Sequence, residues 1–343
     1  MNKIAFEAMT DRKRRDLYEC MWGSEAFDFP VEKTLFKGHV SYNSYTFVNV
    51  PAGGEDICRD RLEKLFGILN PVLFREKFTQ STGGSGQEWK RIATLHSSAL
   101  CALLFFYNVS EENPYIVEIG NEEYVFTYSR FEYQNTVIEG RNPSNIDVVL
   151  VGRERKSGRP AVLFLESKFS EYYEGARNSL KIAMAYLDNS YGKAIYEGDF
   201  LTKAGFEIKE KGSECFTLSS EETCYIEGIK QMISHYIGVR NLLDSMDRRD
   251  GIAVDGARVL LGEILFTKGI GRLHIGDGEE CFSSYRRKYL VLAGALNRQL
   301  MKDGINDRFA VVGDILSYSQ FEDKRFIQEP QIKKFYFESG NGM

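Results

Sequence analysis

The chain has 343 residues, 43% of them hydrophobic and 27% charged, with a net charge of −5. That is enough for one large domain or two ordinary ones with ample core. The acidic balance argues against a protein that coats nucleic acid by bulk charge, but leaves room for an enzyme with a local basic groove.

The opening MNKIAFEAMTDRKRRD lacks the apolar run of a secretory signal, and no later run reaches bilayer length. Its basic cluster (Arg12, Lys13, Arg14, Arg15) reads as a solvated surface, as does the later run Arg153, Arg155, Lys156 and Arg159. TLFKGHVSYNSYTFVNV has strand character, and DICRDRLEKLFGILNPVLF reads as a helix ended near Pro71. TQSTGGSGQ (79–87) then reads as a polar linker. EWKRIATLHSSALCALLFFY places Ile92, Leu95, Ala99, Leu103 and Phe106 at helical spacing, a buried helix.

YIVEIGNEEYVFTY reads as a hairpin turning at Gly120-Asn121, followed by a strand at FEYQNTVI. NIDVVLV and AVLFLESKF form another hairpin through GRERKSGRP. EYYEGARNSLKIAMAYL reads as a helix, and a capping box from Ser219 to Glu222 opens a second one through IKQMISHY. RVLLGEILF and FAVVGDILSY read as buried strands. The order predicts an α/β fold with a mixed central sheet flanked by helices. The scattered cysteines show no CxxC spacing, so the expectation is a cytoplasmic chain with reduced thiols and no membrane association.

LFLESKF carries two charges in a strand otherwise apolar on both faces. Strand alternation points Glu166 and Lys168 to one face and Leu165 and Ser167 to the other. Asp147 is the lone charge of NIDVVLV, and antiparallel pairing brings it to the same end of the sheet. Two carboxylates and an ammonium there suit a hard divalent cation, with the ammonium beside an attacking water. A Glu and a Lys two apart can also be a solvated pair of little energetic worth. The apolar context and the matching position of Asp147 outweigh that reading.

NID at 145–147 followed by ESK at 166–168 resembles the PD-(D/E)xK nuclease superfamily, with Ile146 in place of the motif's proline. The resemblance covers about residues 86–270 and implies a restriction-endonuclease-like core of helix, three strands, helix and strand. It divides the chain into an N-terminal α+β extension (1–85), a nuclease-like core (86–275) and a C-terminal strand/helix extension packed on the core (276–343). By the same resemblance, Asp147, Glu166 and the Ser167 carbonyl hold Mg²⁺, for which Mn²⁺ substitutes. Lys168 orients or helps deprotonate the attacking water. A third carboxylate is expected; Glu132 is favoured for its place on a neighbouring strand, with Glu88 and Glu139 as alternatives.

RecB-like members also carry a helical Gln followed four residues later by Tyr. Here Gln231 is followed at that spacing by His235, with Tyr236 next. Gln231 is therefore the expected contact to DNA, or else a polar residue on the helix surface. The four histidines show no metal spacing, and KGIGRLHIGDG is not a phosphate-binding loop. The expected activity is Mg²⁺-dependent phosphodiester hydrolysis, with DNA favoured and a homodimer suited to double-strand cutting. The alternatives are an inactive nucleic-acid-binding or assembly protein of the same fold, and a cation site of structural use only.

Overall fold

The computed structural model describes residues 9–23, 27–36, 39–48, 54–83, 89–209, 212–245, 252–267, 277–321 and 328–338. They fall into two compact units: residues 1–108 with 265–279 and 317–343, and residues 109–264 with 280–316. Among the described residues, no helix is long and apolar enough to cross a membrane.

In the first unit, helix α1 (Arg12–Trp22) precedes a hairpin of β1 (Glu32–Phe36) and β2 (His39–Thr46). Helices α2 (Glu55–Phe66) and α3 (Pro71–Thr82), the single turn α4 (Trp89–Ile92) and α5 (Ser98–Phe106) come next. Its core is aromatic: Phe29, Phe47 and Phe66 surround Phe335 at centroid distances of 5.2, 5.0 and 5.7 Å, in edge-on geometries that aromatic quadrupoles favour.

Three expectations for this unit are corrected. The helix expected to end near Pro71 is two helices. Gly67, at a left-handed φ of 62°, closes α2, and Pro71 takes the first position of α3, where its missing N–H goes unneeded. The polar stretch from Thr79 is not all linker, because α3 runs on to Thr82. The long buried helix is broken by competition for its backbone. The Phe47 amide donates to the Ala93 carbonyl at 2.9 Å, and the Leu95 amide to the Tyr45 carbonyl at 3.1 Å. Ser97 then caps the new helix α5 by accepting from the Leu100 amide at 3.1 Å.

The second unit opens with β3 (Tyr115–Ile119), β4 (Glu122–Asn135), β5 (Ser144–Glu154) and β6 (Pro160–Lys168). Next come the turn α6 (Glu171–Glu174), β7 (Arg177–Ala183), the short helices α7 (Ser190–Glu197) and α8 (Phe200–Lys203), β8 (Glu207–Lys209) and β9 (Cys215–Cys224). Helix α9 (Ile226–Ser245), β10 (Arg258–Leu265), α10 (Asp277–Lys302) and β11 (Phe309–Val311) complete it. The main sheet runs β11-β10-β6-β5-β4-β3, and β7-β9-β8 form a small separate sheet. The pairs from β3 to β6 are antiparallel and β10–β11 is parallel, so the fold is α/β with a mixed central sheet flanked by helices.

Both expected hairpins form, the first turning at Gly120 with φ 67°. FEYQNTVI is no separate strand; most of it is the far end of β4. Two helical expectations fail for a shared reason. The stretch from Arg177 to Ala183 pairs with β9 as a strand, and Ser219 and Glu222 lie inside β9 rather than at a helix start. Cross-strand pairing overrides local helix propensity here. The Glu222 carboxylate is spent on Ser284 Oγ at 3.0 Å and on Arg287, and the helix begins only at Ile226.

Candidate active site

The register of three strands sets the site. Phe131 and Tyr133 of β4 pair with Val148 and Ile146 of β5, which puts Glu132 level with Asp147. Val148 pairs with Leu165 of β6, which puts Asp147 level with Glu166. Glu132, Asp147 and Glu166 thus form a row across the sheet. Directly opposed residues of antiparallel strands share a face, so the Asp147 and Glu166 carboxylates lie side by side.

Glu132 has a positive φ of 50°, a conformation that L-residues seldom adopt and that surrounding structure must enforce. Its Oε2 accepts from Asn145 Nδ2 at 2.9 Å. Asp147 Oδ2 accepts from the Ser167 amide at 2.7 Å, which ties the two strands together at this row. Burial, then the Glu166 charge, raise the Asp147 carboxyl well above its ordinary range, with Glu132 adding to the effect.

Glu166, Ser167 and Lys168 are all buried, the charged pair being 2% and 5% exposed. The Lys168 ammonium donates to Glu166 Oε1, and His235 Nε2 donates to Glu166 Oε2 at 2.8 Å. Burial would raise the Glu166 carboxyl, but Lys168 and then His235 outweigh it and lower it to about 2. Burial likewise works to lower the Lys168 pKa; Glu166, then Tyr225 and Asp147, overcome it and hold the ammonium well above its usual value. His235 stands on α9, with Nδ1 3.4 Å from Ser144 Oγ. One turn earlier on α9, Gln231 accepts at 3.5 Å from the hydroxyl of Tyr225.

The structure therefore brings together Asp147, Glu166, Ser167, Lys168 and Glu132 at one sheet end, with Gln231 on the helix that also carries His235. Glu88 lies outside the described residues, and Glu139 is in the turn before β5. Sequence reasoning missed Glu263, 1% exposed in the middle of β10, the strand beside β6. Glu263 is the one carboxylate of RVLLGEILF, an acid inside an apolar strand, which is the same signal that singled out Asp147 and Glu166. Also missed was Tyr285 of α10, whose hydroxyl donates to Glu263 Oε2. Glu171 closes the site's edge, accepting from the amides of Phe169 at 2.7 Å and Ser170 at 3.0 Å just after β6.

Compared with known proteins, the chain matches no family model, no curated protein and no solved structure. The donor chemistry suits a hard divalent cation, because two opposed carboxylates that repel each other would be relieved by a positive charge between them. Among the described residues, no three His, Cys, Asp or Glu side chains form a ready cage. Glu166 has one oxygen on Lys168 and the other on His235, and Asp147 has one on Ser167. A cation that takes Glu166 competes with Lys168 and His235 for the negative charge on its oxygens.

Proposed function

We propose that this chain is a divalent-cation-dependent nuclease with a restriction-endonuclease-like core, acting on phosphodiester bonds and most suited to DNA. The observation that carries the reading is the row of Glu132, Asp147 and Glu166 with Lys168 two residues further along the same face. The element order supports it too: strands β4, β5 and β6, then helix α9, then β10 alongside β6.

In this reading Asp147, Glu166 and the Ser167 carbonyl hold Mg²⁺ or Mn²⁺, and Glu132 adds negative charge at Asp147. The ion supplies a Lewis acid for the phosphodiester and makes a nearby water more acidic. In the cation-free site the surrounding acidic groups, Glu166 first, raise the Lys168 pKa. In this reading it orients the attacking water through Nζ–H and offsets charge on the phosphate. Gln231, one helical turn from His235, offers its amide to the DNA backbone. Such an activity fits a cytoplasmic location, where DNA is accessible, and a homodimer would let two such sites cut both strands.

The test is incubation of supercoiled plasmid, short DNA duplexes and RNA with Mg²⁺ or Mn²⁺. Cleavage by the wild type, abolished by EDTA and by Asp147→Asn, is the expected outcome. Identical traces from wild type and Lys168→Ala on every substrate would remove the enzymatic reading.

A further inference from the structure

Resting on the nuclease reading, we propose that Glu263, held by Tyr285, is a positioning residue for Lys168: the second carboxyl acceptor to which the ammonium turns when Glu166 is drawn to the cation. Three observations carry it. The first is an unspent acceptor, since Glu263 Oε2 is taken by the Tyr285 hydroxyl while the buried Oε1 has no hydrogen-bond partner among the described residues. A buried carboxylate oxygen left unpaired is costly unless a donor can reach it.

The second is an unspent donor. The Lys168 ammonium has three N–H groups, yet among the described residues its only hydrogen-bond partner is Glu166. The third is placement. A side chain at Gly262 would meet Leu165 Cδ2 at 3.6 Å, so Gly262 and Leu165 share a face of the sheet. Alternation then puts Glu263 on the opposite face, with Glu166 and Lys168. The charges of Lys168 and Glu166 both act on Glu263, which is consistent with that shared face. Of the other acids acting on Lys168, Asp147 accepts from the Ser167 amide and belongs to the proposed cation site, and Glu171 is engaged with the backbone amides of Phe169 and Ser170.

The arrangement answers the competition at Glu166, where a cation would share the oxygens with Lys168 and His235. Transferring one Lys168 hydrogen bond from Glu166 Oε1 to Glu263 Oε1 frees a cation ligand without stranding a buried charge. Gly228 lets α9 approach Tyr285 and Tyr225 closely, because a Cβ there would lie 2.4 Å from the Tyr285 hydroxyl and 2.6 Å from the Tyr225 ring.

A double-mutant cycle on Mn²⁺ affinity, read by calorimetry on the full chain, isolates the claim from nuclease activity. Glu263→Gln should weaken Mn²⁺ binding about tenfold when Lys168 is present and change it less than about twofold in a Lys168→Met background. Lys168→Met alone should tighten Mn²⁺ binding. Tyr285→Phe, which loosens Glu263 without removing it, should give a smaller loss that also vanishes with Lys168→Met, and it keeps the test alive should Glu263→Gln fail to fold. Equal losses in both backgrounds would show that Glu263 acts by charge alone, and no loss in either would show that it does not act; both overturn the proposal and leave the nuclease reading standing. A wild type that binds no Mn²⁺ overturns both.

Discussion

Each unit buries a glutamate against a tyrosine hydroxyl. In the first, Glu329 Oε1 accepts from Tyr107 and, at 3.5 Å, from the Leu69 amide where the chain passes from α2 to α3. In the second, Glu263 accepts from Tyr285 with one oxygen, while the other has no hydrogen-bond partner among the described residues and the group lies within the field of Lys168 and Glu166. The first carboxylate is joined to the backbone and fixes a connection between helices. The second is joined to another side chain and borders a row of charges. Burial and a tyrosine partner are common to both, so neither marks a functional group; what marks it is hydrogen-bonding capacity left over in charged company.

The largest expected effect separates the two regions by activity. Lys168→Ala should lower DNA cleavage by about 10²–10³-fold, the range for loss of a preorganised donor facing developing charge, while Tyr107→Phe leaves the cleavage rate per folded molecule unchanged. Gel-based rates, normalised to folded fraction, check both.

A second effect sets the two carboxylates of the site against each other in pH. Glu166 is lowered from 4.5 to about 2, so its contribution to stability is present above pH 4.5 and is lost as pH falls toward 2. Glu263 is raised by burial from 4.5 to about 8; the folded state binds the extra proton, so stability falls as pH rises from 4.5 through 8. Glu263→Gln should remove that fall and leave the variant about 1–3 kcal/mol more stable than wild type at pH 9, the scale of a buried unsatisfied polar group. Urea unfolding at pH 5, 7 and 9 measures it; a parallel decline in both proteins would contradict the burial of this charge.

Removing the tyrosine hydroxyls should cost similar amounts in the two units but leave different pH dependences. Tyr107→Phe and Tyr285→Phe are each expected to cost about 1–2 kcal/mol. Only Tyr285→Phe should extend the stability loss attributed to Glu263 to higher pH, because the Tyr285 hydrogen bond holds that carboxyl down. The smallest effect lies outside both pairs: Ser97→Ala should cost about 1 kcal/mol through loss of the α5 cap, with no pH dependence between 5 and 9. Thermal melts across that range distinguish the three variants.

The sheet was legible because its signals are local. Apolar runs, a glycine turn and a charged hairpin loop delimit β3 to β6, and the strand period then puts Asp147 and Glu166 on one face without reference to the rest of the chain. The errors fall where distant partners decide. Arg177–Ala183 has a helical pattern and becomes a strand because β9 is there to pair with it. Ser219 and Glu222 have the spacing of a capping box, but the backbone between them belongs to a ladder. The break before α5 depends on the end of β2, far away in sequence. His235, Glu263 and Tyr285 reach the site from elements whose packing sequence periodicity does not state, although Glu263 carried the signature of an isolated charge in an apolar strand.

A cation held between two opposed carboxylates is the central claim, and diffraction from crystals soaked in Mn²⁺, recorded at the manganese absorption edge, tests it most directly. The expected result is an anomalous peak between the Asp147 and Glu166 carboxylates, within bonding distance of the Ser167 carbonyl and with Lys168 Nζ turned toward Glu263. No peak at that position in Mn²⁺-saturated crystals, with Glu166 still bound to both Lys168 and His235, would contradict it.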